Sequence, residues 1–572
     1  MTEPTLSKLR IYPVPAGAVL QHDLIVRVRP IERGSRSTIS ADSHVISRNA
    51  AHTPAQSGEW QTVPTYRVNV DMHDVSAASM AYFDFDGTVE IEITQPGWWY
   101  CYTADVRPLS RGITPTIEPQ RVTFILDEPA NLSVEINRNR SHNLHLFAGS
   151  LTHADELDGR NIAADVVVEG RTDGPNTLGR DVLLQLENIR HGRPADAGYL
   201  DGTRFRGAID AGVADGGDGA SVGVDTVANA DRDAVIAPTR NLVIRVKPGH
   251  YCIEDCVLNL PSHTTLILEG GTILEGALRI ANAEDVHIMG RGILHLADFK
   301  RFSGTCAITV ANSRNVTIDG ICCINPPHYT VMLGSSRGVA IRDLKSFSCE
   351  GWSDGIDMMS CSDVTISGCF LRTSDDCIAI YGSRWEFRGD TTNVAVRDCV
   401  LWSDVAHPTM IGTHGDYLRG GGRSDGRGDE RGGDVIENVT FENIDVLEHN
   451  EYQPGYLGVM AINVGDGNLA RDVTYRDVRV EPFRHGRVFD FEVKRNPDYN
   501  PIPGRGIEHV TVEHVRIADG SGEEPSLIAG YDETRTVRDV RFVDVSRGGR
   551  RCMTAEELGV DVGPHATGIQ VE

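Results

Sequence analysis

The sequence predicts an all-β protein in which an N-terminal β-sandwich precedes a right-handed parallel β-helix, a solenoid of stacked coils. Short apolar strands separated by turn signals fill the first part of the chain, which is typical of a sandwich. A Val-x-Ile-like unit then recurs at intervals of about 23 to 45 residues, and such self-similarity marks a solenoid. We therefore predict a sandwich over 1–155, a connecting segment over 156–240 and the solenoid over 241–572.

Strand-like segments dominate the N-terminal region, and turn dipeptides such as Asp86-Gly87 separate them. The clearest segments are residues 24–28, 88–93, 122–126 and 132–136. Trp98-Trp99-Tyr100 has two interpretations, a carbohydrate platform or aromatic packing at the end of the sandwich, of which packing is favoured. The loop at 212–219, rich in Gly and Asp, lacks the ligand spacing of an EF-hand and reads as a solvated connector.

The repeat unit opens with a valine, and most copies carry Asn, Asp, Gly or His just before it. The units open at Val286, Val316, Val339, Val364, Val394, Val439, Val473, Val510 and Val540. No helical periodicity lies between them, so they are not βαβ units. Strand-turn-strand repeats of this kind stack each coil on the next as a parallel β-helix.

Composition excludes several classes of partner. The 572 residues carry a formal net charge of −26, which argues against nucleic acid because phosphate neutralisation drives that binding. No apolar run is long enough to span a membrane. The first residues lack the basic and apolar regions of a signal peptide, so the expected location is the cytoplasm, or outside the cell if a signal has been removed.

The twelve cysteines lie mostly inside apolar strand patterns and do not form a disulfide framework, which indicates a reducing compartment. Cys252 and Cys256 are too sparse a pair for a zinc site, which needs a second pair or added histidines. The sequence therefore predicts no metal site and no cofactor.

Three acidic residues, Asp354, Asp375 and Asp376, lie in or beside apolar strands, where Asp is normally depleted. Neighbouring carboxylates repel, so at least one pKa should be raised, and carboxyl groups with separated pKa values suit acid/base hydrolysis. The alternative is that these residues cap strand ends and bind turn N–H groups. Adjacent strand residues point to opposite faces, so a shared site requires a backbone bend at residues 374–376.

The segment 351–355 matches the Gly-x-Ser-x-Gly nucleophile elbow letter for letter. That elbow requires a strand, a sharp turn and then a helix. The residues after Gly355 follow a strand pattern, so a serine hydrolase is not predicted.

Residues 353–357 and 375–380 resemble the polygalacturonase family, glycoside hydrolase family 28. Segment 376–381 and the N-terminal sandwich resemble the dextranase and isopullulanase family, family 49. The nearest match to the Gly-His-Gly motif of family 28 is Gly412-Thr413-His414-Gly415. Met460 and Ile462 stand where family 28 has two cations that hold a uronate, which predicts a neutral glycan unless Lys494 or Arg495 substitutes.

The resemblance implies an inverting glycoside hydrolase that cleaves α-type bonds in a neutral poly- or oligosaccharide. Asp375 is then the general acid, and Asp354 with Asp376 activates water. The remaining candidates for substrate binding are Asp357, Tyr381, His414, Trp352, Glu448, Glu451, Tyr452 and Lys494. Alternatives that stay open are a pectin hydrolase like the polygalacturonases, a polysaccharide lyase, and a glycan-binding solenoid without catalysis. The expected partner is carbohydrate, and the oligomeric state is left open.

Overall fold

In the computed structural model the chain forms two compact units. The structure describes residues 7–32, 58–97, 100–159, 162–170, 174–178, 203–207, 241–301, 303–419, 432–522 and 524–572. Trp98, Trp99, the loop at 212–219 and the Arg427-Gly428-Asp429 tripeptide lie outside these ranges. One unit comprises Met1–Val14, Ala18–Val68 and Ser76–Arg160, and the other Pro15–Gly17, Asn69–Val75 and Asn161–Glu572.

The first unit contains two mainly antiparallel sheets, ordered β1-β5-β11-β10-β7, with β4 also on β5, and β3-β2-β6-β9-β8. Their strands are β1 Lys8–Arg10, β2 Ile25–Ile31, β3 Gln61–Val63, β4 Thr65–Val70, β5 Ser76–Asp86, β6 Thr88–Thr94, β7 Ala104–Arg107, β8 Thr116–Glu118, β9 Arg121–Leu126, β10 Ala130–Ile136 and β11 Leu144–Ser150. A 3₁₀ turn spans Leu109–Arg111 and a helix Leu151–Leu157. Alternate residues such as Val122, Phe124 and Leu126 are buried, as expected for sheets that share a core.

The second unit is one continuous sheet of 34 strands wound into coils. Its strands are β12 Val166–Gly170, β13 Asn176–Leu178, β14 Thr203–Gly207, β15 Leu242–Val246, β16 Gly249–Asn259, β17 Thr264–Leu268, β18 Thr272–Ala281, β19 Glu284–Gly290, β20 Ile293–His295, β21 Ile308–Ala311, β22 Arg314–Asp319, β23 Cys322–Ile324, β24 Val331–Gly334, β25 Arg337–Arg342, β26 Lys345–Phe347, β27 Ile356–Met359, β28 Ser362–Ser367, β29 Phe370–Thr373, β30 Ile378–Tyr381, β31 Thr391–Arg397, β32 Val400–Ser403, β33 Thr409–Gly412, β34 Val435–Glu448, β35 Gly458–Val464, β36 Leu469–Val480, β37 Arg487–Val493, β38 Gly506–Glu513, β39 Arg516–Ile517, β40 Ser526–Ala529, β41 Val537–Val543, β42 Ser546–Arg547, β43 Arg550–Arg551, β44 Val560–Val562 and β45 Ala566–Val571. A short helix, Ala555–Leu558, precedes β44.

Strands of successive coils pair in parallel, and the recurring valines form one column. The pairing runs in register from Val286 through Val316 and Val339 to Val540, without a slip between coils. All nine valines are buried in a core that continues through the whole solenoid. The predicted fold class, a right-handed parallel β-helix with an N-terminal sandwich, is therefore confirmed.

The residue before each of these valines forms a corner of the coil. These residues have φ between 53° and 65°, and they are Asp285, Asn315, Gly338, Asp363, Asn393, Asn438, Asp472, His509 and Asp539. Gly, Asn, Asp and His enter the left-handed region with the least strain, which explains the composition of the repeat. The corners also bond to one another, since Asn393 donates to Asp363 and Asn438 donates to Asn393, both at 2.8 Å.

The stacking begins before residue 241. Strand β12 pairs in parallel with β15, and β13 pairs in parallel with β16. Part of the predicted connecting segment thus lies in register with the solenoid. No helix in the described part of the chain is long and apolar enough to cross a membrane. The twelve cysteines are free thiols.

The corner geometry gives a stability prediction. Asn393→Val should lower the free energy of unfolding by about 1–2 kcal/mol, because a β-branched residue is strained at positive φ. Its neighbour Thr392 has ordinary strand geometry, so Thr392→Val should stay within about 0.5 kcal/mol. Chemical denaturation of both variants makes the comparison. Equal destabilisation by the two substitutions would contradict the role of the corner.

Candidate active site

Three consecutive coils present polar side chains at the same turn. Asp354 precedes β27, Asp376 precedes β30 and His407 precedes β33. These strands pair in parallel with Ile356, Ile378 and Thr409 in register. Residues separated by tens of positions in the chain are therefore neighbours in space.

The backbone bends at Ser374 and Asp375, as a shared site requires. Strand β29 ends at Thr373, whose hydroxyl donates to the Asp375 carbonyl at 2.6 Å. The Ser374 N–H donates to the Ser348 hydroxyl at 3.2 Å. The bend brings one carboxylate oxygen from each of Asp354, Asp375 and Asp376 within 4.8 Å of the others.

A buried ion pair fixes the strand that leads into this bend. The Arg372 guanidinium donates to both oxygens of Asp404, at 2.8 and 3.1 Å, and lies 4.2 Å from the Trp402 ring centre. The Trp402 indole N–H also donates to Asp404, at 2.8 Å. Both side chains are fully buried, and Arg484 lies 3.3 Å from Asp404 as well, so the Asp404 carboxylate joins two cations while loss of Asp404 would remove the carboxylate that the buried Arg372 charge faces.

His407 is hydrogen-bonded on both ring nitrogens. Its Nδ1 lies 2.6 Å from Asp376 Oδ1, and its Nε2 lies 3.1 Å from the Tyr456 carbonyl. A carboxylate and a carbonyl both accept, so both nitrogens have to donate and the ring is an imidazolium. Burial works to lower the pKa of His407, but the Asp376 carboxylate, together with the charges of Glu451 and Asp490, outweighs burial and the pKa is raised. The imidazolium therefore makes a charge-assisted hydrogen bond to the Asp376 carboxylate.

Asp375 has the opposite environment. Burial, and then repulsion from Asp376, raises the pKa of Asp375 to about 7. The backbone N–H groups of Trp352 and Asp376 donate to its two oxygens, at 2.8 and 3.1 Å, and oppose that rise. Trp352 has φ of 64°, which aims its N–H at this carboxyl group. A carboxyl group that keeps its proton near neutral pH is suited to general acid catalysis.

Asp354 and Asp357 form a second buried carboxyl pair. Burial and mutual repulsion raise the pKa of Asp354 well above its usual range, and burial raises that of Asp357 in the same way. Within the described structure, Asp354 Oδ1 and both Asp357 oxygens are buried without a hydrogen-bond partner. Such atoms need a partner, which water or a sugar hydroxyl would supply.

One cation lies beside this carboxyl pair. The Arg384 guanidinium has a nitrogen 3.9 Å from Asp357 Oδ2 and donates to the Tyr329 hydroxyl. Its carbon lies 4.6 Å from the Trp385 ring centre and 5.2 Å from that of Tyr381. Sequence reasoning missed Arg384, because the loop after β30 carries no periodic signal.

The aromatic residues near the carboxylates differ in how exposed they are to solvent. Tyr381 is buried in an apolar cluster on the outer face of the sheet, 5.0 Å from the His414 ring. Burial lowers the pKa of His414 to about 3, so this ring is neutral. Trp352 is 56% exposed and Trp385 is 45% exposed, so these two rings are available to stack on a sugar.

The prediction that Glu448 lines a cleft is wrong. Its side chain is fully buried and accepts from the backbone N–H groups of Arg484 and His449, at 2.9 and 3.1 Å. Glu451 is buried too, but its charge contributes to the raised pKa of His407. Tyr452 is 63% exposed and stacks on the His485 ring at 4.2 Å.

The prediction that Met460 and Ile462 occupy the positions of two substrate-binding cations is also wrong, because both side chains point into the core of the solenoid. The outward positions of β35 include Ala461, which is in register with Met410 on one side and Asp490 on the other. Asn463 is in register with Glu492. These outward positions are uncharged, so the expectation of a neutral glycan now rests on Ala461 and Asn463.

Lys494 lies three coils beyond the carboxylate cluster. Its Nζ is 3.0 Å from Glu492 Oε1 and 3.5 Å from Asp490 Oδ2. It also lies 4.5 Å from the Tyr456 ring centre. Two carboxylates thus offset the charge of Lys494 inside the protein.

Sequence reasoning chose His414 as the match to the Gly-His-Gly motif, whereas the structure places His407 against the carboxylates. The position of His407 relative to the next strand could have identified it. His407 lies two residues before β33 begins, and Asp376 lies two residues before β30 begins. Counting residues back from each strand of the repeat would have placed His407 above Asp376.

Comparison with known proteins finds similarity in the segment of the chain that contains the carboxylate cluster. The family model for Glycosyl hydrolases family 28 matches residues 302–524. A polygalacturonase of Chamaecyparis obtusa is 27% identical over 156 residues, which cover 24% of this chain and 29% of that protein. An endo-polygalacturonase of Pectobacterium parmentieri is 27% identical over 191 residues, 30% of this chain and 46% of that protein. The chain thus spans less than half the length of either relative.

The solved structure of Dex49A from Penicillium minioluteum is similar in fold. It superposes with a TM-score of 0.54 at 11% identity, covering 98% of this chain and 96% of that chain. The resemblance predicted from the sequence is therefore confirmed, to family 28 in the matched segment and to Dex49A in fold.

His407 predicts a pH-dependent contribution to stability. Because its pKa is raised in the folded protein, its stabilisation is fully present below the unfolded-state value of about 6.5 and is lost as the pH rises through the folded-state value. His407→Gln should therefore cost about 1.5–3 kcal/mol near pH 5.5 and less at higher pH. Denaturation at a series of pH values measures this. A cost of His407→Gln that stays constant across the pH series would contradict the imidazolium.

Proposed function

We propose that this protein is a glycoside hydrolase that cleaves α-type glycosidic bonds in a neutral poly- or oligosaccharide. The observation that carries the proposal is the cluster of Asp354, Asp375 and Asp376, whose oxygens lie within 4.8 Å and whose neighbours favour different protonation states. The cluster lies inside the segment that the family 28 model matches. Hydrolysis of a glycosidic bond needs one protonated and one ionised carboxyl group.

We assign a role to each carboxyl group, and the geometry supports the assignment. Asp375, whose pKa is about 7, protonates the leaving oxygen. Asp376, paired with the His407 imidazolium, accepts a proton from water. Asp354 lies within 4.8 Å of both and has a buried oxygen without a protein partner, so it positions that water.

Inversion of the anomeric centre is proposed from the family resemblance. The spacing of the carboxyl groups differs from the spacing that is usual for inverting enzymes, so the product anomer has to be measured. Oxygens within 4.8 Å are closer than the roughly 6.5–9.5 Å separation usual for inverting enzymes. Asp376 is held by His407 on one oxygen, which favours a base over a nucleophile. For inversion, the water held between Asp354 and Asp376 has to attack the anomeric carbon from the face opposite the leaving oxygen that Asp375 protonates.

A neutral substrate follows from the balance of charge. The site holds Asp354, Asp357, Asp375 and Asp376 against Arg384 and His407. Arg384 faces Asp357 and the His407 ring faces Asp376, so a uronate carboxylate would have to compete with a carboxyl group already present for either cation. The outward positions Ala461 and Asn463 add no positive charge.

One observation favours a second candidate, a pectin hydrolase. The relatives named above are polygalacturonases, and the Arg384 guanidinium lies 3.9 Å from Asp357, within the site. A uronate that displaced Asp357 from Arg384 would gain a charge-assisted hydrogen bond. The substrate panel below separates the two candidates.

The roles of the carboxyl groups can be tested by isosteric substitution. Asp375→Asn should lower the rate on natural substrate by roughly 10² to 10⁴ fold, because the leaving group loses its proton donor. An activated aryl glycoside needs less protonation and should restore activity in Asp375→Asn. It should not restore activity in Asp354→Asn or Asp376→Asn, where water activation is lost. Wild-type activity should fall as the pH rises through about 7, where Asp375 loses its proton.

The product anomer, followed by NMR, provides the stereochemical control for the same assignment. Inversion is expected, and retention would overturn the roles of Asp354 and Asp376. Near-normal activity of Asp375→Asn on natural substrate would overturn the role of Asp375.

Substrate class is tested by reducing-sugar release from α-glucans, other neutral oligosaccharides and polygalacturonate, with and without EDTA below the unfolding temperature. We expect activity on a neutral glycan that EDTA does not remove, since a protonated and an ionised carboxyl group do the chemistry. Cleavage of polygalacturonate alone would favour the pectin hydrolase. Release of unsaturated products would indicate a lyase, and the absence of any product a glycan-binding solenoid.

A further inference from the structure

A second cluster of reactive side chains lies near the start of the solenoid. His250 Nε2 is 2.8 Å from Glu275 Oε1, and Cys252 Sγ is 3.0 Å from Glu275 Oε2. Cys252 and Glu275 are in register on β16 and β18, and His250 lies two residues before Cys252 on the same face. One ligand atom from each of the three lies within 4.8 Å of the others. In the sequence, the partner considered for Cys252 was Cys256. In the folded protein, His250 and Glu275 lie beside Cys252 instead.

The orientation of the His250 ring is fixed by a contact on the side away from Glu275. Its Nδ1 lies 3.3 Å from the Ala16 carbonyl, so this nitrogen donates and Nε2 faces the cluster. Gly17 permits this approach, since a Cβ there would come within 2.6 Å of Nδ1. A ring N–H on a backbone carbonyl is the arrangement that orients most metal-binding histidines.

Without a cation, the cluster needs protons to hold it together. A neutral ring protonated on Nδ1 would direct the Nε2 lone pair at the Glu275 carboxylate. Either Nε2 carries a second proton, or a positive ion stands between these groups. The Cys252 thiol likewise keeps its proton to donate to Glu275.

We propose that His250, Cys252 and Glu275 form a zinc site, with a water molecule as the fourth ligand. Zn²⁺ takes imidazole, thiolate and carboxylate ligands in a tetrahedral arrangement. A neutral imidazole, a thiolate and a carboxylate cancel the charge of the ion. Binding releases the Cys252 proton and any second proton on His250, so affinity rises with pH.

The geometry needs only a small adjustment. Tetrahedral bond lengths of about 2.0–2.3 Å place neighbouring ligand atoms about 3.3–3.6 Å apart. The present contacts are 2.8 and 3.0 Å, and Cys252 and Glu275 are both partly exposed and able to move outward. His295, in register with Glu275 on β20, is the next donor along the same face.

The role of this ion is structural. Glu275 lies four rungs before Arg372 in the same stack of strands, about 19 Å at the usual strand spacing. An ion at that distance does not reach the carboxylates of the candidate active site. It joins β16 to β18 and holds the Pro15–Gly17 segment through His250, so it stabilises the first coils.

The test uses the full chain after removal of metal with a chelator, titrated with Co²⁺ and then with Zn²⁺. We expect one Co²⁺ per chain, a thiolate-to-cobalt charge-transfer band in the near ultraviolet, and loss of the band when Zn²⁺ displaces the cobalt. Cys252→Ser should abolish the band. Cys256→Ser is the matched control and should keep it, because Cys256 is exposed and outside the cluster. A band that survives in Cys252→Ser, or cobalt binding without a band, overturns the proposal.

A second measurement keeps the test independent of the variants. In the wild-type protein, Zn²⁺ should slow alkylation of Cys252 by iodoacetamide at least tenfold and leave Cys256 unaffected, as read by peptide mass spectrometry. Equal alkylation of Cys252 with and without zinc overturns the proposal. The same outcome would show that the cluster is held by protons alone.

Discussion

In-register stacking of parallel strands is the constraint on which the rest of this structure depends. The strands of each coil hydrogen-bond to those of the next, with a spacing between strands of about 4.8 Å. One column of valines runs from Val286 to Val540 without a slip in register. The left-handed corners before those valines, such as Asn393, let every coil turn at the same point. The carboxylates of Asp354 and Asp376 and the ring of His407 meet because three equivalent turns carry them.

Within that frame, the neighbours of each carboxyl group decide its chemistry. Asp375 and Asp376 are adjacent in sequence, yet one is paired with an imidazolium while the other has a pKa near 7 because it is buried beside a like charge. The bend at Ser374 makes this division possible, since a straight strand would have placed the two side chains on opposite faces. The buried Arg372–Asp404 pair fixes the strand from which the bend departs.

The sequence predicted what periodicity encodes and missed what depends on phase and loops. The valine column follows from the repeat, and the three aspartates were chosen because they lie in or beside apolar strands and match the family resemblance. Met460 and Ile462 were misread because a shift of one residue along a strand exchanges its inner and outer faces. Glu448 was predicted to be a polar residue at the edge of a coil, but it is buried in an ion pair with Arg484, which is distant in sequence. Arg384 lies in a loop whose length differs from coil to coil, so spacing alone could not place it, whereas His407 could be placed only by counting back from the strand that follows it.

The uniform pairing of the coils has a consequence for how such a protein changes over evolutionary time. Because each rung contacts only its two neighbours, a whole coil can be gained or lost without disturbing the register of the others. Each added coil would lengthen the outer face by one strand spacing, which is close to the length of one hexose. If the proposed glycan substrate lies along that face, the number of sugar units that it contacts is set by the count of coils, independently of the carboxylate cluster.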